Sequence, residues 1–309
     1  MTTMSVSLRE GASPRRAGHF GAWRAVSTAP AMVGSLLLLL VLFGWLGEWE
    51  GAVLLGWIAS GAVVFSRVGE RVAVRVGAGF RRPTRAQSVL LAPAWSAALA
   101  HCGLSAGEVD LYVQRSRDPN AFAAGTRSVA VTTGVLAKFS AHRMGDEYLV
   151  AIVTHELGHL ATRATKFALV TMWLALPWRF ASRLLIGIGL ATVGRRQPLH
   201  LLAVVVVAGV VIAVVQAVQQ RQWAVAAVLS AVAVCTVVSP LVDAAVSRRS
   251  EYAADRYASG AGLGPQLAAA LHVLEGGHRR RPGMVAQLLR RHPSVARRIA
   301  VLSGGADRV

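Results

Sequence analysis

The sequence predicts an α+β fold that is predominantly helical, with about four transmembrane helices and a polar domain that contains a small β-sheet. Its composition is the first indication, because 54% of the 309 residues are hydrophobic, more than in a typical soluble protein. Long uncharged runs are the second, and those at 25–47, 197–220 and 222–242 are each long enough to cross a bilayer. The third is the arginines, which dominate a net charge of +18 and cluster where apolar runs end. Together these features favour an integral membrane protein over a nucleic-acid-binding one.

The hydrophobic segments are predicted to form two transmembrane hairpins. Residues 25–66 hold the first, with a clear span at 25–47, an acidic loop and a shorter apolar arm. The second hairpin, at 197–242, turns at Arg221. Arginines flank both hairpins on their outer sides, so the positive-inside rule places both flanks in the cytoplasm. A signal peptide is the alternative for the first run, but the long polar segment before it and the missing small-residue cleavage site argue against one.

Polar blocks separated by the hairpins complete the chain. We expect a basic cytoplasmic tail at 1–24, the first part of a globular domain at 67–166 and its second part at 243–309. Residues 167–196 hold two apolar stretches interrupted by arginines, each too short to span a bilayer. We interpret 167–196 as helices that lie in the membrane interface or pack on the domain.

The first part of the domain mixes a helix with short strands. A helix is expected at about Gln87–Cys102. Strands are expected at Val109–Val113 and at Ser128–Val135, the latter from its alternating pattern. Both cysteines, Cys102 and Cys235, lack the spacing of metal ligands, and a disulfide between them is not expected.

An H-E-x-x-H motif at His155 to His159 points to metal chemistry. Residues four apart lie on one face of a helix, so His155 and His159 can direct both imidazoles at one ion. Glu156 lies about 100° further around the helix, where it can reach a water on that ion without binding the ion. Two imidazoles, an open coordination position and a nearby base are what a zinc hydrolase needs. A buried structural helix with hydrogen-bonded histidines is the alternative.

A third ligand has to come from the carboxylates that follow the motif. Glu251 is the strongest candidate, because it directly follows the second hairpin and shares a helix face with Asp255, four residues on. One of the two can bind the metal while the other orients a metal-bound imidazole. A solvated, charged helix end is an equally open interpretation of these two residues.

Several motifs occur in an order that resembles a known family. They are Pro119-Asn120-Ala121-Phe122-Ala123 followed by Gly125, the His155–His159 motif, Glu251-Tyr252-Ala253-Ala254-Asp255, and His292-Pro293-Ser294 with Arg298-Ile299. This order, with a hydrophobic hairpin before the first motif and another before the third, resembles the membrane zinc metallopeptidases of the HtpX type. Their wider family includes the CAAX prenyl proteases.

The resemblance implies a cytoplasmic, zincin-like metallopeptidase domain with one zinc ion per chain. His155, His159 and Glu251 would bind zinc, and Glu156 would act as general base. His292 would act beside the metal, either on the oxyanion or as a gate to the ion. Two further residues, Asp255 and Arg298, would support the ligands.

The resemblance also assigns a substrate-binding strand. Residues Asn120, Ala121, Phe122 and Ala123 would belong to an edge strand on which an extended polypeptide is laid. A plain turn before a core strand is the alternative for these four residues.

The expected function is a membrane zinc endopeptidase in membrane protein quality control. Its substrates would be extended polypeptides from membrane or misfolded proteins, its other partner the lipid bilayer, and no nucleic acid is expected. A prenyl-protein peptidase of the CAAX type is an alternative, although two hairpins are fewer spans than we expect of one. A signal-transducing peptidase would need a larger external domain than these loops provide. A non-enzymatic metal scaffold is the third alternative.

Overall fold

A computed structural model describes residues 19–141, 144–193, 199–275 and 292–303. The tail predicted at 1–24 therefore lies outside the described residues except at its end. The chain divides into two compact units. The sheet unit comprises Met1–Arg24, Ala62–Val170 and Ala244–Val309, and the apolar unit comprises Ala25–Gly61 and Thr171–Asp243.

The described chain is mainly helical with a small mixed sheet, which confirms the predicted fold class at that level. The helices are α1 (His19–Phe43), α2 (Trp49–Ser60), α3 (Arg67–Ala78), α4 (Arg85–Cys102), α5 (Thr133–Ser140), α6 (Asp146–Ala161), α7 (Ala168–Val193), α8 (Leu199–Gln219), α9 (Trp223–Gly260), α10 (Gly264–Glu275) and α11 (Val295–Leu302). The strands are β1 (Phe80–Arg81), β2 (Asp110–Gln114), β3 (Ala121–Ala124) and β4 (Ser128–Thr132). Short 3-10 turns follow α1 and α2, at Gly44–Leu46 and Gly61–Phe65.

The sheet has the strand order β1-β2-β4-β3. Strands β2 and β4 run parallel, whereas β1 and β3 are antiparallel to their neighbours. All five residues of β4 are buried, as expected for a central strand covered on both faces. Strand β3 is consequently an edge strand, hydrogen-bonded to β4 on one side and without a strand partner on the other in the described chain.

The core of the sheet unit forms around α6. Leu149, Val153 and Leu157 are four residues apart, lie on one face of α6 and are at most 2% exposed. They belong to one apolar cluster with Leu91 of α4 and Val131 of β4. Burial of these large side chains against the sheet and α4 fixes the position of the helix that carries the metal motif.

The strand predicted at Ser128–Val135 ends earlier than expected, at Thr132. The Thr132 hydroxyl accepts a hydrogen bond from the Val135 backbone N–H (3.3 Å) and so caps the N-terminus of α5. The alternating pattern did not reveal this cap. The strand predicted at Val109–Val113 is displaced by one residue, to Asp110–Gln114.

The interpretation of 167–196 as separate short helices is wrong, because α7 is one continuous helix. It continues through Pro177 and the arginines that interrupt the hydropathy. Arginine is a good helix former, so it ends an apolar run without ending a helix. The proline is accommodated, and the N–H of the next residue, Trp178, is satisfied by the Ser35 hydroxyl (3.0 Å).

Judged by length and hydropathy, fewer of the described helices qualify as membrane spans than the sequence predicts. Among the described residues, one helix (Gly21–Leu46) is long and apolar enough to cross a membrane. A second candidate arises if Trp49–Phe65 and Arg67–Ala78 form one broken span. In the apolar unit, Val41 and Trp45 are 81% and 79% exposed, as lipid-facing side chains would be. Four spans remain a prediction.

Candidate metal centre

Helix α6 carries the first half of the site. It begins after Gly145, and acidic Asp146 and Glu147 occupy its first turn, where the helix dipole favours negative charge. Every residue from Leu149 to His159 is buried. The rings of His155 and His159 lie with centroids 4.9 Å apart and planes at 83°. Two imidazoles are thus held on one buried helix face.

Helix α9 brings a carboxylate to these imidazoles. Glu251 Oε2 lies 3.4 Å from His155 Nε2, and its Oε1 lies 3.5 Å from His159 Nε2. One ligand atom from each of the three residues lies within 4.8 Å of the others, and all three residues are buried. The three residues predicted to bind metal are therefore brought together.

A glycine inside the motif permits this close approach of α9 to α6. A Cβ placed on Gly158 would lie 3.1 Å from Ala254 Cα and 3.0 Å from Tyr257 Cβ. Real Cβ atoms rarely come so close to their neighbours. A side chain at 158 would push α9, and with it Glu251, away from the histidines. This role was not predicted from the sequence. A signal was present, because glycine destabilises the interior of a helix and its presence there often indicates a close contact.

Asp255 contacts His155 at Nδ1, and Arg298 contacts Asp255, Glu251 and His155, with its Nη2 atom 3.3 Å from His155 Nε2. Asp255 Oδ1 lies 3.0 Å from His155 Nδ1, which leaves the Nε2 atom directed towards Glu251. Arg298 of α11 contacts Asp255 at two points, with Nη2 2.6 Å from Oδ1 and Nε 2.9 Å from Oδ2. Such a carboxylate fixes the orientation of a metal-binding imidazole. Arg298 Nη1 also lies 3.2 Å from Glu251 Oε2.

Electrostatics keep both carboxylates ionised. Burial has the largest effect on Glu251 and would raise its pKa, but hydrogen bonds to His155, His159 and His292 hold the pKa far below its usual range. The pKa of Asp255 is lowered in the same way by His155 and Arg298, against its burial. For His155, burial and Arg298 lower the pKa, yet contacts with Asp255 and Glu251 outweigh them and raise it to about 9.

These donors fit a zinc ion. Ligand atoms at about 2.0–2.1 Å from a tetrahedral ion lie about 3.3 Å from one another. The two nitrogen–oxygen distances of 3.4 and 3.5 Å are close to that value. Two imidazoles and one carboxylate, with a fourth position left open, are typical of catalytic rather than structural zinc. Because only neutral imidazole binds metal, a metal ion would compete with the protonation that the raised pKa of His155 favours.

Two other predicted residues border the metal group differently. Glu156 is 8% exposed and close enough to Arg298 to help raise the pKa of that guanidinium, and its carboxylate hydrogen-bonds to no side chain in the described parts of the chain. It is therefore free to accept a proton from a water. His292 lies at the open side, where its side chain is 66% exposed and its Nδ1 lies 3.0 Å from Glu251 Oε1.

The predicted substrate-binding residues lie at the free edge of the sheet. Ala121, Phe122 and Ala123 belong to β3, which packs against α6. Asn120 precedes the strand and anchors it, because its N–H donates to the Thr132 hydroxyl (2.9 Å) and its carbonyl accepts from the Thr132 N–H (2.9 Å). Within the described residues no strand pairs with the outer edge of β3, so its backbone is available for pairing with another strand.

A buried carboxylate outside the metal group, Glu70 of α3, holds the turn that ends β3. It accepts hydrogen bonds of 2.7–3.0 Å from the backbone N–H groups of Thr126 and Arg127 and the hydroxyls of Thr126 and Ser128. Gly125, at φ +62°, begins this turn, and a Cβ there would collide with the Glu70 carboxyl. Sequence analysis missed Glu70. A lone acid in an arginine-rich segment was the only signal.

Comparison with known proteins identifies the family. The model of peptidase family M48 matches residues 94–306, which include every predicted site residue. No curated protein matches the chain. The chain therefore belongs to peptidase family M48, which contains HtpX and CAAX protease-like members. Membership implies metal-dependent peptidase activity, and the group of His155, His159 and Glu251 can form the metal site.

Proposed function

We propose that this M48 peptidase is a membrane-embedded zinc endopeptidase of the HtpX type that cleaves extended polypeptides at the cytoplasmic face of the membrane. The observation that carries the proposal is the convergence of His155, His159 and Glu251, with Glu156 next to them on α6 and its carboxylate in no side-chain hydrogen bond within the described chain. Three metal ligands alone do not make a hydrolytic site. A base is also needed whose carboxylate is free to accept a proton from water.

The chain's own residues can perform the proton transfers of peptide hydrolysis. Bound by the three ligands, zinc supplies Lewis-acid polarisation of the scissile carbonyl and of a water. Glu156 accepts the proton of the attacking water and then gives it to the leaving amine. We propose that His292, which is exposed and contacts Glu251, stabilises negative charge on the carbonyl oxygen, with gating of the metal as the alternative role. Asp255 keeps the His155 ring in place throughout.

Strand β3 supports the choice of an extended polypeptide as substrate. A substrate that adds a strand at the free edge of β3 gains backbone hydrogen bonds that do not depend on its sequence. In folded proteins most backbone N–H and C=O groups are already hydrogen-bonded and so are less available for such pairing. A site of this kind therefore suits misfolded proteins, and we propose membrane protein quality control as its role.

Replacement of Glu156 by Gln tests the hydrolytic mechanism. We expect zinc to remain at one per chain, because all three ligands are kept, and cleavage of a fluorescently labelled unfolded polypeptide to fall about 10²–10⁴-fold. Glu147→Gln is the matched control, since it makes the same change at an exposed position of α6 and should leave the rate unchanged. Undiminished cleavage by the Glu156→Gln variant would contradict the proposal.

The orientation of the first hairpin can be tested independently of catalysis. With Cys102 and Cys235 replaced by Ser, single cysteines are introduced at Glu48, between the arms of the first hairpin, or at exposed Ala106 of the sheet unit. In right-side-out vesicles an impermeant maleimide should label the first cysteine and spare the second, because the flanking arginines hold the sheet unit in the cytoplasm. Labelling of the cysteine at 106 would contradict the proposed orientation.

A further inference from the structure

A cavity of about 770 Å³ in the sheet unit lies beyond the C-terminal end of α6 and next to the turn after β3. Four of its lining residues are cationic and two are aromatic: Phe65, Arg67, Arg127, Arg163, Lys166 and Phe167. Glu108 is the one acidic residue of the lining. The cavity thus carries an excess of positive charge.

The cations of this cavity lack anionic partners within the described chain. The Nη1 atom of Arg127 is buried and has no hydrogen-bond partner. No carboxylate of the described residues lies within 4.0 Å of the charged groups of Arg67, Arg127, Arg163 or Lys166. Lys166 Nζ instead lies 5.4 Å from the centroid of the Phe167 ring. The excess of cations therefore remains without a neutralising carboxylate in the part of the chain that the structure describes.

Arg163 occupies a backbone conformation that normally selects glycine. Helix α6 ends with hydrogen bonds from the Ala164 N–H to the His159 carbonyl and from the Arg163 N–H to the Leu160 carbonyl. This is a Schellman motif, in which Arg163 is the left-handed residue at φ +54°. An arginine there is less stable than a glycine. The presence of a strained arginine directly at a cationic cavity points to a use for its guanidinium.

The chain connects the cavity to the apolar segments on both sides. Phe65 ends the 3-10 turn that follows α2, and Phe167 immediately precedes α7. Their rings pack edge to face with centroids 6.0 Å apart. Both rings belong to the sheet unit. In the sequence, Phe65 thus lies at the end of one apolar segment and Phe167 just before the next.

Helix α3 presents an amphipathic surface beside this cavity. Val68, Val72 and Val76, spaced four residues apart, are 71%, 54% and 83% exposed. Arginines precede each of them, at Arg67, Arg71 and Arg75. An exposed apolar stripe flanked by arginines is typical of a helix that lies in the headgroup region of a bilayer. Arg67, the first of these arginines, also lines the cavity.

We propose that this cavity binds the phosphate group of an anionic phospholipid while α3 lies against the headgroup layer. The proposal rests on the membrane location proposed above. Guanidinium and ammonium groups bind phosphate oxygens through charge-assisted hydrogen bonds, and Arg67, Arg163 and Lys166 line the cavity with such groups. Phe65 and Phe167 would pack against the apolar part of the same lipid. The neighbouring Glu70-held turn would then be fixed from both sides.

Lipid binding can be measured on the full chain without any role for hydrolysis. The Glu156→Gln protein in nonionic detergent is titrated with phosphatidylglycerol or phosphatidylcholine, and bound lipid is counted by native mass spectrometry. We expect phosphatidylglycerol to be preferred. Arg163→Gly should bind it about fivefold more weakly, and Arg127→Gln with Arg163→Gly about 30-fold more weakly, because each basic residue near an anionic surface contributes about fivefold.

The Arg163→Gly variant separates binding from folding. Glycine relieves the left-handed strain, so the variant should unfold at a higher temperature than the parent protein while binding the lipid less well. Arg85→Gln with Arg115→Gln removes the same charge from exposed positions away from the cavity and should keep the parental affinity.

Three outcomes would overturn the proposal. The first is unchanged phosphatidylglycerol affinity in the cavity variants, and the second is an equal loss in the Arg85/Arg115 control. The third is displacement of the lipid by an equal concentration of glycerol 3-phosphate, which would assign the cavity to a free anion. None of these bears on peptide cleavage, so failure here leaves the proposed endopeptidase intact.

Discussion

The two halves of the metal centre are built in different ways. In the first half, His155, Glu156 and His159 lie within one buried turn of α6, and the helix alone sets their spacing. In the second half, Glu251 and His292 come from separate segments, and their side chains are 6% and 66% exposed. The first half is preformed by local structure, whereas the second depends on how α9 packs. Metal affinity should therefore respond to packing changes that leave every ligand in place.

Removal of a metal ligand from either half should cause the largest loss of zinc affinity. Glu251→Gln keeps the size of the side chain but replaces a carboxylate by a weak donor. We expect zinc affinity to fall by more than about 100-fold, because even groups behind the ligands change it by about 10–100-fold. His159→Ala should cause a loss of the same order. Competition with a chelating dye measures both.

This pair of variants tests whether the halves act as one site. Parental zinc affinity in the Glu251→Gln protein, together with a large loss in His159→Ala, would show that α6 binds the ion without α9. The second half would then be a neighbour of the metal and not part of its site.

The difference between the halves also explains what could be predicted from the sequence. The spacing of His155 and His159 is a local pattern on one helix, so helix and motif could be read together. Glu251 could be singled out only with the help of the hairpin before it and the family resemblance. Residues alone left it open as a solvated helix end, because no local pattern says which distant helix packs on α6.

Other features could not be predicted, for physical reasons that differ. Glu70 holds a turn 56 positions away in the sequence, and such a contact leaves no local pattern. The error at 167–196 arose because charges end an apolar run but not a helix, so α7 is continuous where two helices were expected. The close contact of Gly158 with α9 depends on atomic packing, which hydropathy does not encode.

An intermediate loss of zinc affinity is expected when Asp255, which lies on α9 and orients His155 of α6, is replaced. Asp255→Asn removes the charge that orients His155 Nδ1 and that holds Arg298 at 2.6 Å. Zinc affinity should fall about 10–100-fold with all three ligands unchanged. Asp146→Asn, at an exposed position of α6, is the control and should leave affinity as it is. A loss as large as that of Glu251→Gln would instead make Asp255 a ligand.

The smallest loss of zinc affinity is expected from Gly158→Ala. This variant tests most directly whether the packing of α9 on α6 sets the second half of the site. The new Cβ would lie 3.0 Å from Tyr257 Cβ and 3.1 Å from Ala254 Cα, so α9 has to move by a few tenths of an ångström. Alanine is favoured over glycine in a helix by about 1 kcal/mol, which should offset the cost of that contact and leave the free energy of unfolding nearly unchanged.

Zinc affinity should nevertheless fall severalfold in this variant, because the shift carries Glu251 away from a ligand geometry that tolerates only about 0.2 Å. Gly260→Ala makes the same substitution in α9 itself, where a Cβ meets nothing within 4 Å, and should leave affinity unchanged. If Gly158→Ala binds zinc as tightly as the parent protein, the approach of α9 does not set the metal site. The position of Glu251 would then not depend on the contact between Gly158 and α9, because α9 could adjust there without moving Glu251.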